Sequence, residues 1–173
     1  MLFRSNQLPY HIDEVATWAL TQTGGFVIGG TTWNFASTGL RSLNLDLMVI
    51  DEAGQYSLAN ALVSLSCARK ALLLGDPQQL PHVSQGRHPE PVDNSVLKHV
   101  LGDNKTMPQN LGYFLSKTFR LHPSLAKPVS RLQYEDRLTS DIRCSKRNLD
   151  EVNPGLHIID VEHSGNKIGR AHV

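Results

Sequence analysis

Cysteine is scarce in this chain: Cys67 and Cys144 are the two present in 173 residues. They fit neither a disulfide framework nor a zinc site, and they read as reduced thiols of a cytoplasmic protein. Long apolar runs are lacking too. The longest, Leu47–Ile50 and Ala71–Leu74, are strand-sized, so no helix that crosses a membrane is expected. The opening stretch MLFRSNQLPYHIDE has no apolar core, which argues against a signal peptide. The eight histidines show no ligand spacing, so no metal role is assigned to them. Internal repeats and low-complexity segments do not occur. What is present, 40% hydrophobic and 19% charged residues, is the composition of a globular protein.

Net charge is close to zero, at +1, but it is unevenly spread. Residues 1–111 hold 7 Lys/Arg against 9 Asp/Glu, while residues 112–173 hold 10 against 7. A basic second half can face phosphates, although so small a bias is more commonly a solvated surface.

Periodicity supplies the elements. His11–Gln22 carries Ile12, Val15, Ala16, Ala19 and Leu20 on one helical stripe, closed by Gly24-Gly25. Phe26–Ile28 reads as a short strand running into Gly29-Gly30-Thr31-Thr32. Asp46–Ile50 is a second strand. Ser57–Ala68 is a helix with Ser57 as N-cap and Leu58, Ala61, Leu62 and Leu65 facing inward. Lys70–Leu74 is a third strand. Strands that are apolar without alternation and separated by helices predict a parallel α/β sheet buried on both faces. In such sheets chemistry sits beyond the carboxyl ends of the strands, and these three strands end in Gly-Thr-Thr, Asp-Glu and Gly-Asp. Residues 82–109 read as a long surface connection with one short helix near Ser95–Leu101, leading to a domain boundary near Asn110. Beyond it, Leu121–Tyr134 reads as two helical segments interrupted by Pro128, Ser140–Asn153 as a loop and Leu156–Val161 as a final strand. Trp18 and Trp33 read as packing residues in preference to base-stacking ones.

Two strings carry chemistry. LDLMVIDEAGQ is an apolar strand delivering Asp51 and Glu52 to an edge where carboxylates stay solvated or partnered. This Walker B pattern suits Asp51 to holding Mg²⁺, a hard cation that prefers oxygen ligands, and Glu52 to orienting and deprotonating an attacking water. LLLGDPQQLP follows, its Asp76 lying 25 residues after Asp51. Gly75 permits a tight turn and Pro77 fixes φ. A glutamine there can bond a terminal phosphate without adding charge.

IDEAGQ and LLGDPQQLP closely resemble motifs II and III of superfamily 1 helicases. LSKTFRLHPSLAKPVSRLQYEDRL, residues 115–138, is similar to motif IV of the 1B branch that includes the nonsense-mediated-decay helicase. Gly29–Thr32 resembles the GTT motif of that branch. More narrowly, IDEAGQYSLANAL, VSQGRHP and VEHSGN resemble bacterial proteins that fuse a RecB-like nuclease to such a helicase. The resemblance implies a RecA-like P-loop NTPase fold, an incomplete parallel sheet flanked by helices over residues 1–111, and the beginning of a second RecA-like domain over 112–167. It implies an enzyme that couples ATP hydrolysis to single-strand translocation and duplex unwinding, with ATP and Mg²⁺ as cofactors. By the same resemblance Asp51 is the Mg²⁺ acid, Glu52 the catalytic base and Gln79 the γ-phosphate sensor. Arg120 is an arginine that reaches the γ-phosphate, where a guanidinium neutralises transition-state charge. Phe119 stands where an aromatic, often Tyr, stacks near adenine. Thr31 and Thr32 match residues that touch a nucleic-acid backbone, as a motor that reads no bases requires. The implied partner is single-stranded nucleic acid, DNA in preference to RNA; a fused nuclease domain is a further expectation.

No G-x-x-x-x-G-K-[ST] string occurs in the 173 residues. That loop supplies the amides and lysine that hold β- and γ-phosphates. The chain is therefore expected to be a fragment of the motor, inactive by itself. The hexapeptide Ile168–Val173 matches one frame of a common sequencing-library adapter (ATC GGA AGA GCA CAC GTC) and is set apart from the fold. Two other readings stand beside the motor: a non-catalytic nucleic-acid-binding remnant, and a metal-dependent nuclease built on Asp51, Glu52 and Asp76.

Overall fold

Capped helices and buried apolar side chains gather around the short strand that leads into Asp51. The computed structural model describes residues 11–80, 86 and 88–160. The VEHSGN segment, Val161, the 168–173 hexapeptide and most of VSQGRHP lie outside the described residues. The chain divides into two units between Tyr113 and Phe114.

In the first unit, α1 spans Ile12–Leu20, α2 Thr32–Phe35, α3 Thr38–Arg41 and α4 Leu58–Leu65. Strands β1 (Met48–Ile50) and β2 (Ala71–Leu73) pair in parallel, with Val49 opposite Leu72, and α5 covers Val96–Leu101. A parallel pair needs a crossover, and α4 supplies it. Its N-cap is Ser57, whose hydroxyl accepts the Asn60 N–H, as the sequence predicts. The core gathers Leu40, Met48, Ile50, Ala61, Cys67, Leu97 and Leu101. Cys67 is fully buried and its thiol donates to the Phe35 carbonyl at 3.0 Å.

Several expectations are corrected. Phe26–Ile28 joins no ladder and lies in irregular chain, with Val27 85% exposed: no described strand offers it hydrogen-bonding partners. The β1–β2 sheet is not buried on both faces. Met48 and Ile50 point into the core, whereas Leu47, Val49, Leu72 and Leu74 are each at least 42% exposed, because period-two alternation puts them on the face that no described helix covers. Leu20 and Leu62 also face outward; the helical stripes they belong to are narrower than the apolar pattern. Residues 82–109 are not only a surface connection, since Val96, Leu97 and Leu101 of α5 are core residues.

In the second unit β3 (Lys117–Thr118) and β4 (Thr139–Ser140) pair in parallel across α6 (Pro123–Gln133). Helix α6 runs unbroken through Pro128, against the prediction of two segments. Proline there forfeits one backbone bond, but the buried Ala126 and Ser130 on either side keep the helix seated. The stretch read as a loop contributes β4 and a 3₁₀ turn, Ile142–Lys146. Residues 156–160 form no strand, and Leu156, Ile158 and Ile159 are exposed; no described strand lies alongside to pair with them. The architecture of the described residues is thus helices with two small parallel sheets, in keeping with the α/β class expected. No described helix is long and apolar enough to cross a membrane.

Candidate functional site at the carboxyl ends of the first sheet

Both strands of the first sheet stop at the same edge, and their backbones stay bonded past the ends. Leu74 N–H donates to the Ile50 carbonyl (2.9 Å) and Ala53 N–H to the Leu74 carbonyl (2.8 Å). This lays the Asp51–Gln55 turn directly against Gly75-Asp76. The fit leaves no room for side chains. A Cβ at Gly54 would stand 2.5 Å from the Asp76 carbonyl oxygen, and one at Gly75 would stand 2.8 Å from the Ala53 nitrogen. Glycine at both positions is a requirement of that backbone contact.

Asp51 and Glu52 are exposed at this edge. Asp51 Oδ1 accepts the Glu52 N–H at 3.0 Å, which orients the carboxylate and leaves its other oxygen to solvent or a cation. Glu52 adopts a left-handed backbone, φ 53° and ψ 41°, an uncommon conformation for glutamate. It turns the chain sharply out of the strand into the 3₁₀ turn Ala53–Gln55. An exposed carboxylate with a free oxygen fits Mg²⁺ bound through one or two acids plus substrate phosphates. Among the described residues no three His, Cys, Asp or Glu gather into a metal-holding group.

Beyond the second strand, Asp76 Oδ1 accepts the Gln78 N–H (2.9 Å) and the Asp76 carbonyl accepts the Gln79 N–H (3.4 Å). Gln78 is tied down by its own side chain, which donates to the Lys105 carbonyl at 2.8 Å. Gln79 is exposed and its Oε1 accepts from Gln55 Nε2 at 3.3 Å. The structure thus brings Gln79 together with Gln55, the last residue of the IDEAGQ string, which the sequence reading did not single out. Its position in that string was the available signal.

Thr31 and Thr32 sit at the start of α2. The Thr31 N–H and hydroxyl both donate to Asn34 Oδ1, at 2.8 and 2.7 Å. The Thr32 hydroxyl bonds the Tyr56 hydroxyl, which in turn lies 2.9 Å from the hydroxyl of the buried Ser64. Both threonine hydroxyls are thereby engaged by the protein. Tyr56 links the Gly-Thr-Thr segment to the residues that follow Glu52, and nothing in the sequence pointed to it. Trp33, expected to pack, is 86% exposed; in the four-residue α2 it faces away from the buried Phe35. Trp18 does pack, edge-on to Phe26 at 5.7 Å.

In the second unit, Phe119 and Arg120 follow β3, both exposed. The Arg143 guanidinium lies 5.1 Å over the Phe119 ring, a cation–π contact that covers one face. Arg143 is fixed by Asp141, whose Oδ1 accepts from its Nε (2.8 Å) and its N–H (3.0 Å). These hydrogen bonds and the adjacent positive charge hold the Asp141 carboxyl below its ordinary pKa and raise that of Arg143. The Arg120 carbonyl accepts from Arg147 Nη1 at 2.7 Å, and its own guanidinium has no partner among the described residues. Asp141, Arg143 and Arg147 carried no sequence signal, lying in a stretch that reads as polar loop.

Against known proteins, residues 24–85 match the family described as AAA domain. The chain is also similar to the 5′-3′ DNA helicase ZGRF1 of Mus musculus, 27% identical over 124 residues. That alignment takes in 70% of this chain, which spans about 6% of the length of the relative. The two likenesses are to an AAA domain and to a DNA helicase.

Proposed function

We propose that these residues form part of the motor of an ATP-dependent superfamily 1 helicase that translocates on single-stranded nucleic acid, DNA in preference to RNA. The observation that carries the reading is the interlock of the Asp51–Gln55 turn with Gly75–Gln79, where Gly54 and Gly75 admit no Cβ. It sets two carboxylates and a coupled glutamine pair on one exposed edge at the carboxyl ends of parallel strands, where α/β sheets bind ligands.

In this reading Asp51 holds Mg²⁺, which when bound neutralises phosphate charge. Glu52 accepts a proton from the attacking water, and its exposure at a left-handed turn of the backbone leaves it free to do so. Gln79, steadied by Gln55, bonds the γ-phosphate with a neutral amide. In the second unit Arg120 is a guanidinium suited to a γ-phosphate, and Phe119, with one face covered by Arg143, offers its other face to adenine. Thr31 and Thr32 lie in the segment that meets the strand backbone; with the Thr31 N–H and hydroxyl both given to Asn34 and the Thr32 hydroxyl to Tyr56, that contact falls to the neighbouring Gly29 and Gly30 amides. The protein that carries these residues also needs a phosphate-binding loop, which residues 1–173 do not contain.

The test is ATP hydrolysis stimulated by single strands, measured on the whole gene product. Glu52→Gln is expected to lower turnover on the order of 10²-fold or more, the weight of a general base, and residues 1–173 alone are expected to hydrolyse no ATP above the Glu52→Gln background. A whole protein that binds single strands but hydrolyses no ATP would return the site to the binding-remnant reading.

A further inference from the structure

Trp33 poses a physical question. A tryptophan held 86% in solvent forgoes the burial that makes the residue worth its size, and it does so on a segment that is otherwise well anchored. Helix α2 is fastened at its start by the Thr32 hydroxyl on Tyr56, itself held by the buried Ser64. At its end Phe35 is buried and its carbonyl accepts the Cys67 thiol. Residues two apart on a helix point nearly opposite ways, so burying Phe35 directs Trp33 outward. The backbone carrying the ring is fixed before any ligand arrives.

We infer that Trp33 is a base-stacking platform for single-stranded nucleic acid, kept in place by the Thr32–Tyr56–Ser64 hydroxyl chain. The inference rests on the proposed nucleic-acid contact of Gly29–Thr32 and extends it from the backbone to the bases. An indole face accepts any base, which suits a motor that must move along every sequence. Tyr56 is a positioning residue: it bonds Thr32 beside Trp33, and it follows Glu52 by four residues, so one hydroxyl joins the proposed contact segment to the chain that carries the carboxylate pair.

The experiment uses purified residues 1–173 with a short oligothymidylate and the matching abasic strand. The expected result is that Trp33→Ala weakens oligothymidylate binding roughly tenfold, while Trp33→Phe, which keeps a ring, retains most of the affinity. On the abasic strand wild type and Trp33→Ala bind alike. Tryptophan emission of the wild type is quenched by oligothymidylate, and that of Trp33→Phe, which reports Trp18 alone, is not. Tyr56→Phe weakens oligothymidylate binding several-fold without abolishing the quench. Wild type that binds with Trp33→Ala unchanged, or a Trp33→Ala deficit of equal size on the abasic strand, overturns the inference and leaves the motor reading intact. Wild type that binds neither strand defeats the nucleic-acid reading itself, and this inference with it.

Discussion

Gly54 and Gly75 show how little tolerance a residue-scale contact can have. Each faces the other turn's backbone, and rigid backbone atoms cannot yield as the tip of a side chain can. Gly54→Ala is expected to destabilise the first unit by about 1–3 kcal/mol, the usual cost of forcing a methyl into packed structure. A chemical-denaturation midpoint that falls while far-ultraviolet ellipticity stays native would confirm it; an unchanged midpoint would mean that the two turns are not in contact. Serine or threonine at either site would meet the same obstruction, because the clash is with the Cβ itself. At this scale the strand ends were readable: Asp51 and Glu52 follow the first strand, and Gln79, beyond the second, bonds Gln55 of the turn after them. Tyr56, Asn34 and Arg143 were not, since a hydroxyl or guanidinium advertises its partner only once the chain has folded.

At the scale of elements, the link from β4 to the 3₁₀ turn Ile142–Lys146 depends on one carboxylate. Asp141 caps the turn through the Arg143 N–H and pairs with the Arg143 side chain. Its native pKa is depressed, chiefly by the Arg143 side-chain hydrogen bond. The linked stability is therefore fully present above the ordinary aspartate range, near pH 4, and is lost as pH falls through the lower native value. Asp141→Asn keeps an oxygen for the N-cap but removes the charge. Acid titration of the second unit, followed by thermal unfolding below about pH 4, should show a steeper loss in the wild type than in Asp141→Asn; parallel curves would show that the pair contributes nothing. The same element explains a failure of pattern reading. Ser140–Asn153 reads as loop because a 3₁₀ turn this short is held by its cap and one ion pair, with Cys144 its one buried side chain, so periodicity had nothing to detect.

For the molecule as a whole, the sheet face bearing Leu47, Val49, Leu72 and Leu74 is the largest departure from expectation. Parallel sheets are ordinarily covered on both sides, and apolar area left in water costs about 25 cal/mol per Å². Residues 1–173 are thus expected to bind the dye ANS, which reports exposed apolar surface, and Val49→Lys is expected to reduce that binding markedly without loss of helix content. Dye binding equal in the two proteins would show that this face is covered in solution.

Sequence by itself determined α1, α4 and α5, the two parallel strands of the first sheet, and the carboxylates and glutamine beyond their ends, but not the capped α2 and α3 or the second sheet. These follow from local rules: an apolar strand, a serine N-cap and a glycine turn are each specified within a few residues. Tertiary structure alone decided which apolar faces were buried, whether Phe26–Ile28 and residues 156–160 became strands, and that Trp33 faces solvent while Thr32 bonds Tyr56. Each of these depends on a partner distant in sequence. A strand needs a neighbour to complete its hydrogen bonds and a face needs a layer to cover it, and neither is written in the segment itself.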